Sequence, residues 1–252
     1  MSDTILDQLV TMSRYLGDPA RTYAILGEGN TSGRIDDDTF YVKASGTTLG
    51  AIEPGGFVAV SISKVVPILD DDTADDETVT CVLKEAMVDK AEVRRPSVET
   101  ILHAVLLQYP EIHFIGHTHP VYAGMLLGSV RAEEAAMGRI CPDQVVVMGH
   151  QSVFVPYVDP GLVLARTIRS RVQDFVEQEG VLPRAIMMQN HGLIALGDTP
   201  KAVTGITDMA EKAAQIIAGT YALGGPRFMT PEHIARIYTR PDEKYREKTI
   251  AR

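Results

Sequence analysis

The chain has 252 residues, enough to bury a sizeable α/β core, with 45% hydrophobic and 23% charged side chains. Its net charge of −9 leaves no basic stripe to neutralise phosphates, which argues against nucleic acid as the main partner. The longest apolar runs, GFVAVSI and VVPIL, fall far short of the roughly 20 residues a bilayer requires, so no membrane association is expected. MSDTILDQLV lacks a basic segment followed by an apolar stretch, and Cys81 and Cys141 form no CxxC. A cytoplasmic protein with reduced thiols is the expectation.

In chain order, residues 3–17 repeat apolar side chains at helical spacing, with Ser2 or Asp3 as the cap. YAILGEGNTSGRI, DDD and TFYVKASG read as two strands around a tight acidic turn, and GFVAVSI continues the sheet. DDDTADDET (70–78) reads as a solvated loop leading to a helix that ends near Arg94. PSVETILHAVLLQY predicts a helix from Ser97 to Gln108, with a proline near its first turn. EIHFIGHTH is the next strand, ended by Pro120, which opens a helix through VYAGMLLG. QVVVMG and VFVPYV read as short strands, and Pro160 opens a helix to about Gly180. RAIMMQ, NHG and LIALG read as strand, turn and strand, followed by a long Thr-capped helix over TPKAVTGITDMAEKAAQIIAGTYAL. With no repeat and no linker, the expectation is one mixed α/β domain over 1–252, with a charged helical tail from about 230.

The chemistry centres on FIGHTHP. Residues two apart in a strand share a face, so His117 and His119 project together roughly 6 to 7 Å apart, a workable span for two ligands of one ion. A hydrogen-bonded pair of buried histidines is the plainer alternative. His113 shares that face but lies too far along for the same ion. NHG places His191 in a tight turn at a strand end, and Gly192 suits a backbone conformation that branched residues avoid. Three histidines plus an open position is the pattern of a catalytic zinc.

Glu99 sits near a helix start, where it is either a helix-end carboxylate or a general base. His103, four residues on, shares its helix face and serves packing or supports a ligand. GEGNTSG and KASGTT are glycine- and hydroxyl-rich turns of the kind that bind phosphate. Lys43, just before Ser45-Gly46, is either solvated or an anion clamp.

Together, GEGNTSGRI, YVKASGTTLG, PSVETILH, IGHTHP and NHGLIALG resemble the class II aldolase/adducin family, in the family's order over residues 27–197. The resemblance implies a three-layer α/β/α sandwich around a mixed, largely antiparallel sheet. It implies a homotetramer with each active site at a subunit boundary. It implies that His117, His119, His191 and Glu99 bind a divalent metal, typically zinc, with Mn2+ or Co2+ as alternatives, and that Glu99 is the acid/base. It further implies that Asn30, Ser45, Gly46 and Ser97 line a substrate phosphate site, with Ser32 beside them. Two departures stand out. Lys43 replaces the threonine usual in sugar-phosphate members, and SVRAEEAAMGRICPD has no match for the downstream tyrosine acid. Tyr238 or Tyr245 in the charged tail is the candidate replacement.

The activity expected is retro-aldol cleavage of a ketose phosphate through a zinc-stabilised enediolate. Decarboxylation of a keto or aromatic acid, with Lys43 pairing the carboxylate, and sugar-phosphate epimerisation are alternatives on the same site. An adducin-like scaffold has no need of four converging ligands.

Overall fold

Alternation decides the outer strands of this protein. In TFYVK, Phe40 and Val42 turn inward while Thr39 and Tyr41 stay half-exposed, the period-two pattern of a strand with one covered face. FIGHT and AIMM are instead buried at every position, as expected of strands covered on both faces. The computed structural model describes residues 4–243 and 245. Along the chain run α1 (Ile5–Leu16), β1 (Asn30–Arg34), β2 (Thr39–Lys43), β3 (Phe57–Ser61), α2 (Ile62–Val65), α3 (Asp76–Ala86), α4 (Thr100–Leu106) and β4 (Phe114–Thr118). There follow α5 (Val121–Leu127), α6 (Ala132–Met137), α7 (Pro142–Met148), β5 (Val153–Val155), α8 (Leu162–Glu179), β6 (Ala185–Met188), β7 (Gly192–Gly197), α9 (Pro200–Thr220) and α10 (Pro231–Thr239).

The strands are hydrogen-bonded in the order β3-β2-β1-β4-β7-β6-β5, with helices on both sides of the sheet. β1/β2, β2/β3 and β6/β7 are antiparallel, and β5/β6 is parallel. The sheet is therefore mixed and largely antiparallel, as expected. The chain divides into two compact units, Met1–Gly116 with Val158–Ser170 and His117–Tyr157 with Arg171–Arg252.

In the first unit, α1 begins with a capping box in which the Thr4 hydroxyl accepts from Asp7 N while Asp7 reaches back to Thr4 N. Thr4 is thus the cap, and the expected Ser2 and Asp3 lie outside the described residues. α3 stops at Ala86 instead of near Arg94. Met87 turns extended and bridges Val60, and Val88 N donates to Ala59 O (2.9 Å), so sheet-edge pairing captures the chain. α4 starts at Thr100 and not at Ser97. Pro96 is held extended by its bridge to Ala44, and Ser45 N donates to Arg95 O (2.8 Å), which keeps the preceding turn out of the helix.

In the second unit, the expected strand over QVVVMG is the helix α7. Pro142 occupies its first turn, and Gln144 Oε1 accepts from Ile140 N (2.8 Å) just ahead of it. Val145, Val146 and Met148 are buried, and α7 packs against α9 and α10. Helix packing overrides the strand preference of three consecutive valines. Nearby, the fully buried Arg139 donates to the carbonyls of Met137, Gly138 and Gly149 and to Ser152 Oγ. Of the charged tail, α10 covers the first part, and residues 244 and 246–252 lie outside the described residues. Among the described residues, no helix is long and apolar enough to cross a membrane.

Candidate functional site

Three histidines converge in the second unit. β4 carries His117, fully buried, and ends at Thr118, leaving His119 half-buried one residue beyond. His191 occupies the turn from β6 to β7. Each offers a nitrogen, and these atoms all lie within 4.8 Å of one another. The ring centroids are 4.8, 5.0 and 5.2 Å apart.

Protons can be placed from the partners. His117 Nδ1 lies 3.0 Å from the Leu193 carbonyl, which can only accept, so Nδ1 carries the hydrogen. In the neutral ring His117 Nε2 is then a lone pair, and it faces His119 Nε2 at 3.1 Å. Converging imidazole nitrogens, one of them oriented through a backbone carbonyl, fit a divalent ion of the zinc type.

The turn that presents His191 explains its own sequence. Asn190 adopts the left-handed conformation (φ 54°), which asparagine tolerates, and His191 N donates to Met188 O (3.2 Å). Gly192 is required for a different reason from the expected one. Its conformation is ordinary, but a Cβ there would sit 2.5 Å from Thr118 O and 2.8 Å from His119 Cδ2. Only a hydrogen fits between β7 and the histidine-bearing segment.

The first unit holds the predicted carboxylate. Glu99 occupies the N-cap position of α4, yet its side chain makes no cap hydrogen bond there. It accepts instead from Asn30 Nδ2 at 2.5 Å. Asn30 Oδ1 must then be the atom facing His103 Nε2, and an amide oxygen only accepts, so His103 is protonated at Nε2. That leaves Nδ1 of a neutral ring to accept from the Ser32 hydroxyl at 2.7 Å. The result is a one-way chain of donors from Ser32 through His103 and Asn30 to Glu99. Asn30 is 4% exposed, and Ser32 and His103 are fully buried.

The other predicted residues sort by burial. Lys43 is 4% exposed and donates to the Gly27 carbonyl (3.3 Å), so it is no solvated lysine. Burial pushes its ammonium below the usual lysine range, and the Glu99 carboxylate opposes that. Ser45 and Gly46 are exposed in a turn where Gly46 takes φ +81°. Ser97 Oγ is buried without a hydrogen-bond partner among the described residues. Ser32 does not line a surface, because its hydroxyl is committed to His103. His113 is exposed. Among the described residues, the atoms that converge tightly enough for one ion are those of the three histidines, while Glu99 belongs to the Asn30 chain.

His103 is the residue whose part sequence reasoning left open. One spacing pointed to it: Glu99 and His103 share a helix face.

A mixed seven-stranded sheet with helices on both sides is the fold of the class II aldolases. Residues 7–218 match the family described as Class II Aldolase and Adducin N-terminal domain, and the chain belongs to it. The uncharacterized oxidoreductase YuxG of Bacillus subtilis (strain 168) is 31% identical over 207 residues, 77% of this chain, which spans only 27% of YuxG. Methylthioribulose-1-phosphate dehydratase of Microcystis aeruginosa is 24% identical over 204 residues, covering 77% of this chain and 85% of the relative. Among solved structures, the N-terminal class II aldolase domain of a conserved protein from Thermoplasma acidophilum superposes with a TM-score of 0.70 at 26% identity. That match covers 86% of this chain and 95% of the other. An L-fuculose 1-phosphate aldolase superposes with a TM-score of 0.71 at 18% identity over 98% of both chains, a likeness of fold.

Proposed function

We propose that this protein is a metal-dependent lyase that cleaves a ketose phosphate by a retro-aldol reaction. The observation that carries the reading is the convergence of the His117, His119 and His191 nitrogens within 4.8 Å. When bound there, a divalent ion such as zinc supplies Lewis acidity toward the carbonyl and hydroxyl oxygens of a ketose.

The chain's own groups do the rest. Glu99 takes the proton from the substrate hydroxyl as the carbon–carbon bond breaks and returns a proton to the departing carbanion. The Asn30 amide holds the Glu99 carboxylate in one orientation, which shortens the search for the reactive geometry. Lys43 meets the anionic end of the substrate, because a buried ammonium bound only weakly at 3.3 Å gains most from an anion. Ser45, Gly46 and Ser97 complete the phosphate contacts, and the Ser97 hydroxyl, without a partner among the described residues, is a ready donor. The assembly is a homotetramer in this reading, and light scattering that gives a monomeric mass at working concentration would refute it.

A second reading is dehydration. The relative from Microcystis aeruginosa is a methylthioribulose-1-phosphate dehydratase. Such a reaction begins instead by taking a C–H proton beside a carbonyl, and the neighbouring hydroxyl leaves as water where the aldolase reading breaks a carbon–carbon bond.

The test is to screen the metal-loaded protein against ketose 1-phosphates and keto acids, measuring dihydroxyacetone phosphate, dehydrated product and carbon dioxide. His119→Ala should lose the ion and all turnover while keeping the fold. Glu99→Gln should keep the ion and lose roughly 10²-fold or more in rate. Stoichiometric ion in His119→Ala by elemental analysis would contradict the site. Activity within threefold in Glu99→Gln would remove Glu99 from the chemistry.

A further inference from the structure

One carboxylate outside the predicted set is aimed at backbone. Glu211, in the middle of α9, accepts from Tyr122 N and Ala123 N, one through each oxygen at 3.0 Å. Those amides open α5, whose N-cap position is Pro120. Proline has no side-chain acceptor, and the helix has no side-chain cap hydrogen bond of its own. Glu211 therefore replaces the missing cap from 88 and 89 residues away.

What it holds matters more than the helix. Pro120 follows His119 directly, so the segment His119–Pro120 is pinned on one side where Thr118 lies against Gly192 and on the other by the Glu211 clamp. The backbone of His119 thus lies between two anchored points, Thr118 and the first amides of α5. We propose that Glu211 is a positioning residue for His119, fixing the second imidazole of the histidine group through the backbone and not through its ring. The inference deepens the metal-site reading above, because its consequence is the affinity of that group for an ion.

The experiment uses the full chain stripped of metal and titrated with Co2+, following the visible ligand-field bands. Wild type, His119→Ala, Glu211→Ala and Glu211→Gln are compared, with circular dichroism and thermal melts of the metal-free proteins as folding controls. Glu211→Ala should bind Co2+ about 10- to 100-fold more weakly, the usual scale for a group that supports a ligand. Glu211→Gln, which keeps one acceptor but turns an NH2 toward the other amide, should fall between it and wild type. In the metal-free proteins, the ring resonances of His119 should shift and broaden in Glu211→Gln while those of His191 stay in place. Wild-type affinity in both variants with unmoved His119 resonances would overturn the role of Glu211. A wild type that takes up no Co2+ would overturn the metal site itself, and the resonance comparison would still decide whether Glu211 holds His119. If Glu211→Ala fails to fold, Glu211→Gln carries both measurements.

Discussion

The histidine group and the Glu99 chain hold their functional atoms by opposite means. In the second unit, position comes from backbone. The Leu193 carbonyl orients His117, the missing side chain at residue 192 admits His119, and two amides tie α5 to Glu211. In the first unit, position comes from side chains handing hydrogen bonds to one another from Ser32 to Glu99. The difference suits the proposed tasks. A metal ligand needs a fixed location, which backbone supplies at no cost in side-chain entropy. An acid/base needs a defined orientation and a defined proton, which only a chain of polar partners can specify.

The comparison can be broken most severely at Gly192. Gly192→Ala must displace either the Thr118 carbonyl or the His119 ring, since its Cβ would sit 2.5 and 2.8 Å from them. A loss on the order of 3 kcal/mol or more is expected, with Co2+ binding lost in whatever folds. Chemical denaturation and metal titration check both. A variant of wild-type stability would show that β7 can retreat and that the backbone is not the constraint.

The side-chain half should break more gently. His103→Leu keeps bulk but strands the Asn30 carbonyl and the Ser32 hydroxyl in the interior, at about 2 kcal/mol. Its telling readout is a split. Co2+ affinity should stay near wild type, while turnover on the identified substrate falls because Asn30, no longer held by His103, ceases to fix the Glu99 carboxylate. Equal losses in both would mean that the two halves are not separately built.

The smallest expected effect has the opposite sign. Lys43 is buried, and burial lowers its affinity for a proton in the folded chain. Between its folded value and the ordinary 10.5, the unfolded chain binds more protons, so this contribution to stability rises with pH through that window. Below it the full cost of the buried charge is present. Lys43→Met should therefore stabilise the ligand-free protein by about 1 kcal/mol at neutral pH, a few degrees in melting temperature, while raising KM for an anionic substrate. Loss of kcat with KM held would instead place Lys43 at the reacting carboxylate of a decarboxylase. A lower melting temperature would mean that the Gly27 contact outweighs desolvation.

Much of this site was legible in the sequence because it rests on local rules. Strand parity puts His117 and His119 together, Asn190-His191-Gly192 announces a turn, and the Thr199-Pro200 start announces α9, each set by neighbours a few residues away. Joint occurrence of five short blocks then pointed to the family that residues 7–218 confirm. Tertiary structure decided what depends on partners far along the chain. The valines of α7 would pair as a strand if they did not pack on α9 and α10, and α3 would run on if β3 did not capture Met87. The need for glycine at 192 comes from Thr118, and not from a backbone angle that sequence could announce. The hydrogen-bond partners of Asn30, Ser32 and Glu211 lie 69 to 89 residues away. Periodicity reports which face a residue occupies, and only packing reports what stands opposite it.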